Sequence, residues 1–489
     1  MTPTDSHLAG RRSCVRDLAS GFAGLALTDL LDRDGFFCGT AAAQNPQAAQ
    51  RHALASGPHF APRAKHVIFL FMYGGPTQMD TWDYKPELQR RNGQSIEIET
   101  RRRSIQKQTL LGSQRKFRQY GDSGLWGSDA FPYINACLDD ICVIKSLYAD
   151  TFAHGSALLQ MNSGRVIQGS PSIGSWLTLG LGHENQNLPG YVVMLDPRGG
   201  PIAGAANWSS GFMPAAFQGT HLRSRGEPIL DLNPKGDAAQ GAQRDLIATL
   251  DRFNLKHQRN RPGFSELPAR IASYELAFKL QTAAPEAMDI SDESLTTQRL
   301  YGLQDPKPAH PKSLGPYPFG QQCLIARRLV ERGVRFVQIY SGGGHGDQNW
   351  DAHSHVDDSL RIHAPEIDHP IAGLLCDLKQ RGLLQETLVV WGGEFGRQAV
   401  AQNGTGRDHN PLGFLYWMAG GGIKGGHAHG STDDLGHRAE TDRHHIRDLH
   451  ATILNRMGLD HTRLTYLYGG LEHKLTGVRE ASVIQPILA

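Results

Sequence analysis

An α/β fold, with a mainly parallel central sheet sandwiched by helices and a cap-like insertion, is predicted by three features of the sequence. The run HVIFLFMY at 66–73 shows no polar alternation, so both of its faces are buried, as in a central parallel strand. From Val334 to Pro411 the chain reads strand (Val334–Tyr340), loop, helix (about His363–Arg381), strand (Glu386–Trp391), then two polar loops, which is the alternation of a parallel sheet with crossover helices. Those strands open into loops dense in Gly, Asp, Glu and His, and in a parallel sheet such loops meet on one edge.

In order, residues 1–43 read as an address rather than a fold. Arg11-Arg12-Ser13-Cys14-Val15-Arg16 is a twin-arginine pair followed by an apolar and a basic residue, Leu18–Leu27 is a short apolar segment, and Ala41–Ala43 is a small-residue cleavage region. This resembles a Tat export signal and implies a periplasmic or secreted protein. Residues 44–62 are a polar, Ala/Gln-rich linker, and 63–489 are the α/β domain. The first strand ends in Gly74-Gly75-Pro76, where a sharp turn brings backbone N–H groups close to any anion, and Asp80 and Asp83 lie on the loop beyond. Pro86–Gly127 is polar and basic without a periodic apolar face, a surface excursion. A helix near Phe131–Leu138 and a strand at Ile141–Ser146 follow. A loop, Tyr148–His154, then opens a helix whose amino end, near Asp150, Thr151 and His154, favours an anion. Tyr191–Leu195 is another strand. Residues 200–315, rich in Gly and Pro with helices at about Asp245–Lys256 and Pro268–Gln281, form the insertion, since the strand pattern resumes afterwards. Helix Gly320–Arg332 stops at Gly333 before the strand at Val334. Phe414–Ala419 is a further strand, and GGGIKGGHAHG leads on towards a helix at His445–Met457.

Composition excludes several partners. Lys+Arg 50 against Asp+Glu 48 leaves a net +2, with no long-range field to gather nucleic acid or an anionic membrane. The basic run Arg101–Arg103, with Lys107, Arg115, Lys116 and Arg118, reads as a solvated loop. Six cysteines, of which only Cys137 and Cys142 are close together, do not make a disulfide framework and read as buried thiols. Beyond the amino terminus no run approaches the roughly 18 apolar residues of a membrane span. Nothing in the sequence fixes an oligomeric state.

The polar loop residues are Asp80 and Asp83; Asp150 and His154; His345, Asp347, Asp351, His353 and His355; Glu394; Asp408 and His409. Carboxylates mixed with imidazoles, and no thiolates, suit a divalent metal such as zinc, manganese, magnesium or calcium. Such an ion polarises an ester oxyanion or lowers the pKa of bound water. Asp351-x-His353 or Asp351-x3-His355 could chelate one ion, and Asp408-His409 could close its shell. Any one of these residues is more often a helix cap or a backbone partner. Four clusters, each following a strand of one sheet, make the set a candidate site. Three other features have bland readings. His427, His429, His437, His444 and His445 fit a flexible exposed loop, GGGH at 342–345 lacks the Lys-Ser/Thr ending of a phosphate loop, and Ser156 lacks the G-x-S-x-G turn.

VIFLFMYGGPTQMDTWDYKPEL, GGHGDQNWDAHSH, PIAGLLCDLKQRGLL, LVVWGGEFGR, GRDHNP and the tail DLHATILNRMGLD resemble the sulfatase-like bacterial family called domain of unknown function 1501, assigned to the alkaline phosphatase and sulfatase superfamily. The likeness covers most of the chain and implies an alkaline-phosphatase-like fold. Superfamily phosphatases and mutases carry an Asp-x3-His that supplies two ligands, and Asp351 with His355 reproduces that spacing, His353 competing. Their third histidine precedes a His-x-x-Pro-like turn, similar to His409-Asn410-Pro411. Where they have Asp-His-Gly this chain has Glu394-Phe395-Gly396, and where an Asp follows the first strand it has Gly74-Gly75, so only Asp80 or Asp83 could reach a second metal. Eleven residues before Arg165, where the resemblance puts the nucleophile of cofactor-independent phosphoglycerate mutases, stands His154, which excludes the formylglycine of a true sulfatase.

The expectation is an exported hydrolase of phosphate or sulfate esters, acting on a small-molecule or polysaccharide substrate. A single divalent ion would sit on Asp351, His353 or His355, and His409. Glu394 and Asp408 would be secondary ligands or acid/base groups, His154 the nucleophile or base, Asp80 and Asp83 second-site ligands, and Gly74 and Gly75 anion binders. The alternative is a non-catalytic exported protein that keeps the fold and binds an anion or a metal.

Overall fold

Strand β1 (His66–Met72) lies inside a sheet because every one of its side chains is apolar or buried. In the computed structural model the described residues are 57–223 and 283–489, less 183, 186, 307 and 345, together with 229, 249, 252 and 253. The predicted export signal, most of the linker, the helix predicted at Pro268–Gln281 and all but three residues of that at Asp245–Lys256 lie outside the described residues. Leu54–Gly226 and Glu286–Ala489 form one unit, to which all that follows refers; 1–53 and 227–285 form a second.

The elements that matter are β1, the hairpin β2 (Ser95–Glu99) and β3 (Ile105–Thr109), β4 (Ile141–Tyr148), α1 (His154–Ser163), β5 (Tyr191–Met194) and β6 (Thr220–His221). They continue with α2 (Tyr317–Glu331), β7 (Phe336–Ser341), α3 (Val356–Gln380), β8 (Thr387–Gly392), β9 (Phe414–Ala419), β10 (His427–His429), β11 (His444–His445) and α4 (Ile446–Arg456). Among the described residues the main sheet has nine strands in the order β10-β4-β9-β8-β1-β7-β5-β6, with β11 also on β4. This is the expected α/β architecture, a mostly parallel sheet with helices. Val67, Phe69 and Phe71 share a core with Leu158 and Met161 of α1, Trp176 and Leu449. Each such buried side chain contributes roughly 1.5–3 kcal/mol. Ile68, Leu70 and Met72 are equally buried on the opposite face. Helix α2 packs on α3 and on β7.

Strand directions set the position of the site. β1 is parallel to β7 and to β8; β9 is antiparallel to both β8 and β4. The carboxyl ends of β1, β7, β8 and β4 therefore share one edge. Gly74, the loop 342–355, Glu394 and His154 follow those ends. Asp408 and His409 were expected after a strand but precede β9; because β9 runs antiparallel, its beginning lies on that same edge.

Two expectations change. Pro86–Gly127 contains two paired hairpins, β2/β3 and Phe117–Tyr120 with Leu125–Ser128, and the first carries Arg101 towards the site. The histidine-rich segment is not a loose loop: β10 and β11 both pair in parallel with β4, and His429, His437 and His445 are buried. Long-range pairing satisfies backbone groups along β4 that would otherwise need water.

Candidate metal centre

Close loop packing builds the site. Gly74 and Gly75 have φ of 114° and 80°. A side-chain carbon at Gly74 would overlap the backbone of Trp350 and Asp351, and one at Gly75 would meet Phe395. Trp350 N donates to Tyr73 O at 2.9 Å, and Arg407 N to Ala352 O at 2.9 Å, which bring the β7, β1 and 398–408 loops together. Asp351 is the focus. One donor atom from each of Asp351, His154, His353 and His409 lies within 4.8 Å of all the others.

The ring orientations are specified from behind. His409 Nδ1 lies 2.8 Å from Phe152 O, so that nitrogen carries the proton and donates it. His154 Nδ1 donates to the buried Glu394 carboxylate at 2.6 Å, and His353 Nδ1 to Gln402 Oε1 at 2.6 Å. In the neutral rings all three Nε2 atoms are then lone pairs, and all three face Asp351: His409 at 3.0 Å and His353 at 3.1 Å from Oδ1, His154 at 3.1 Å from Oδ2. Lone pairs facing a carboxylate repel unless a cation or a proton lies between them. His154 Nε2 is buried and makes no well-angled hydrogen bond. Imidazoles whose Nδ1–H is held by an acceptor and whose Nε2 atoms converge beside a carboxylate fit a metal ion.

Burial alone would depress the His154 pKa, but the hydrogen bonds and charges of Asp351 and Glu394 outweigh it and raise it to about 9, so without metal a proton on Nε2 takes the place between His154 and Asp351 that an ion would fill. His409 goes the other way, down to about 3, through burial first and then the charges of Arg397 and His154, against its bond to Asp351. The Asp351 carboxyl, despite burial, is held far below the usual range by His154, His353, His409 and Arg397. Burial and the Glu394 charge push Tyr73, whose ring lies edge-on to His154, up to about 12.

The other predicted residues are placed as follows. Glu394 is fully buried behind His154, and its two oxygens accept Gly74 N–H at 3.0 and 3.1 Å. Gly75 N goes to Met72 O at 3.3 Å, so both glycine amides, expected to bind an anion, are already used. Asp408 pairs with Arg101 at 2.6 Å and accepts His409 N–H at 2.9 Å. His355, an expected ligand, is exposed, has φ of 53° at the start of α3, and bonds Thr405 at 3.1 Å; the left-handed backbone turns it away. Asp80 and Asp83, expected second-site ligands, serve other pairs. Asp80 holds the buried Arg407 at 2.9 Å, and Asp83 takes Thr432 and Lys85. His345 and the side chain of Asp347 lie outside the described residues. Asp150 bonds Gln160 and Arg447 rather than joining the cluster.

Two arginines were missed. Arg397 is fully buried, 2.6 Å from Asp351 Oδ1, and donates to Gly74 O and, at 2.9 Å, to Gly75 O. Arg101, from the run read as solvated, lies over Phe152 and beside Asp408. It is also 3.3 Å from His409 Nδ1, whose proton goes to the nearer Phe152 carbonyl.

A family model described as protein of unknown function (DUF1501) matches residues 64–488. Among solved structures the chain is similar to the PsFucS1 sulfatase from Pseudoalteromonas sp. (12% identity, 81% of this chain and 68% of that one, TM-score 0.36). It is also similar to the lipoteichoic acid synthase LtaP from Listeria monocytogenes (8%, 85% and 79%, 0.35). A third likeness is to a variant of the alkaline phosphatase from the Antarctic bacterium TAB5 with Mg bound in its M3 site (11%, 82% and 99%, 0.36). No match was found among functionally curated proteins.

Proposed function

The chain belongs to the DUF1501 family, and we propose that it is an exported, metal-dependent hydrolase of phosphate or sulfate esters. One observation carries this reading: three imidazoles, each anchored through Nδ1, turn their Nε2 atoms onto one carboxylate at 3.0–3.1 Å. The ligands are Asp351, His154, His353 and His409, so His154 becomes a ligand rather than a nucleophile. A set of three nitrogens and one carboxylate favours a borderline ion such as zinc over magnesium or calcium, which prefer all-oxygen shells. Bound there, the ion supplies Lewis acidity and a water of lowered pKa.

The chain's own residues do the rest. Glu394 keeps the His154 proton on Nδ1. Arg397 holds Asp351 in place from the buried side. With the three imidazoles neutral, as metal ligands are, three carboxylates (Asp351, Glu394, Asp408) against two guanidiniums (Arg397, Arg101) leave one net negative charge around the centre, which a divalent ion would turn to one net positive, a field suited to an anionic ester. Arg101, partly exposed at the mouth with Asp408, is the side chain available to such a substrate.

A second reading, a non-catalytic metal binder, is favoured by the partners of Asp351, whose side chain, among the described residues, meets imidazoles and a guanidinium and no hydroxyl or thiol. Zinc-loaded protein assayed on aryl phosphate and aryl sulfate separates the two. Turnover lost with His409→Ala supports the hydrolase, and an inert, stoichiometrically loaded protein refutes it. Turnover unchanged in that variant means the site is elsewhere. Export through Arg11 and Arg12 is part of the proposal, and undiminished export after both are changed to Lys removes it.

A further inference from the structure

Two cysteines far apart in the sequence meet away from the metal centre. The turns from Pro132 to Asp140, which lead into β4, run alongside the carboxyl half of α3, and contacts at both ends fix how they lie. At one end Tyr133 N–H and Ile134 N–H donate to Asp368 at 3.0 and 2.7 Å, and the Tyr133 ring stacks on that of His369 with centroids 4.1 Å apart. At the other, Lys379 Nζ donates to the two Asp140 oxygens at 2.7 and 2.8 Å. Cys137 lies between Ile134 and Asp140, and Cys376 between His369 and Lys379, on the face of α3 that those partners occupy. The two side chains meet there, the Cys137 thiol hydrogen-bonded to the Cys376 sulfur.

This pair is unlike the other thiols. Cys137, Cys142 and Cys323 are buried, whereas Cys376 is half-buried and is the one cysteine among the described residues that a reagent can reach. Donation from Cys137 lowers the Cys376 pKa, against burial and the Asp140 charge; the same bond, with burial, pushes Cys137 up. An accessible thiol that ionises first, touching a buried one, has the two parts of a disulfide-forming pair: one sulfur attacks and the other resolves. Cys137 precedes β4, whose carboxyl end faces Asp351, and Cys376 is near the end of α3, whose start follows the ligand loop. The pair therefore sits at the opposite edge of the sheet from the metal centre.

We propose that Cys137 and Cys376 are an oxidative modification site, closed to a disulfide by thiol–disulfide exchange with a small-molecule disulfide or a dithiol oxidase, which ties the start of β4 to the end of α3. The Cys376 thiolate attacks one sulfur of the oxidant's disulfide, forming a mixed disulfide and displacing the other sulfur as a thiolate. Cys137 then gives up its proton and attacks Cys376 Sγ, and the oxidant's second sulfur leaves as a thiolate. Two electrons pass from the pair to the oxidant, whose two sulfurs take up the two protons. The chemistry is independent of the hydrolase reading. That the bond stays closed in the cell rests on the proposed export, since oxidising compartments preserve disulfides.

Oxidised glutathione is the probe, added to the full, folded and reduced chain without denaturant. Non-reducing peptide mapping is expected to recover the Cys137 and Cys376 peptides joined, with two hydrogens lost from the intact mass and both thiols regained in dithiothreitol. In Cys137→Ser the reaction is expected to stop at a glutathione adduct on Cys376. Two results overturn the proposal: a folded wild-type chain that keeps both thiols free, or one in which Cys376 carries glutathione while Cys137 stays reduced. Both are read on the unsubstituted chain, so misfolding of the serine variant leaves the proposal testable. In the cell, an exported chain with both thiols free refutes the cellular part, and a chain retained in the cytoplasm refutes the export reading and with it that part alone.

Discussion

Replacing Glu394 by Gln separates a positioned imidazole from one that is merely nearby. Glu394 is fully buried, accepts the His154 Nδ1–H at 2.6 Å and takes Gly74 N–H on both oxygens. Glutamine keeps the volume but has one acceptor oxygen. With that oxygen on His154, its NH2 opposes the Gly74 N–H; with the oxygen on Gly74, the NH2 faces His154 and drives the imidazole proton to Nε2, towards the ion position. Either way a charged hydrogen bond worth about 1.5–3 kcal/mol is lost, and metal-free Glu394→Gln should be destabilised by that order in urea. Outer partners of ligating histidines contribute roughly 10–100-fold in metal affinity, about 1.4–2.7 kcal/mol. Zinc affinity measured by competition with a fluorescent chelator should fall by that factor. Unchanged zinc affinity in folded Glu394→Gln would refute the claim that Glu394 fixes the tautomer of a ligand.

Other consequences follow from single contacts. Arg101→Gln should leave the zinc content intact and raise KM for an aryl phosphate or sulfate about tenfold, roughly 1.4 kcal/mol, with a smaller effect on kcat; loss of metal instead would make Arg101 a structural residue. His355→Ala, altering an exposed side chain bonded to Thr405, should leave zinc affinity and turnover unchanged, and a fall in either would restore it to the ligand set. His450, fully buried on α4, donates Nε2–H to Met161 O at 2.7 Å and has its pKa lowered to about 4 by burial, against the bond to Met161. Its stabilising contribution is complete above the unfolded value near 6.5 and disappears as pH falls towards 4, a loss of about 3 kcal/mol. Urea unfolding from pH 7 to pH 4 should show that acid limb in the wild-type chain and a shallower one in His450→Gln; equal limbs would contradict it.

Much of this arrangement is legible in the residues, and what is not has identifiable causes. Apolar runs at 66–72 and 387–392 mark buried strands, and a buried parallel sheet gathers the loops after them, so Glu394 and Asp351 could be grouped from sequence. An apolar run carries no direction, however, so β9 could not be seen to run antiparallel. Spacing could not choose between His353 and His355, because the choice is made by the positive φ of His355. Arg397 and Arg101 escaped because a guanidinium is no metal ligand and because the reach of the β2–β3 tip depends on tertiary packing. The histidine-rich strands looked like a loop since their glycines match loop composition, while their pairing with β4 is a long-range event that local propensity does not record.

The most direct measurement is X-ray absorption at the zinc edge of the stoichiometrically loaded protein, together with a crystal structure of the same sample. The account predicts one ion bound by Nε2 of His154, His353 and His409 at about 2.0–2.1 Å and by a carboxylate oxygen of Asp351 at about 2.0–2.2 Å. Folded protein that takes up no ion between these four side chains, or an ion held through His355 with His154 turned away, would contradict it.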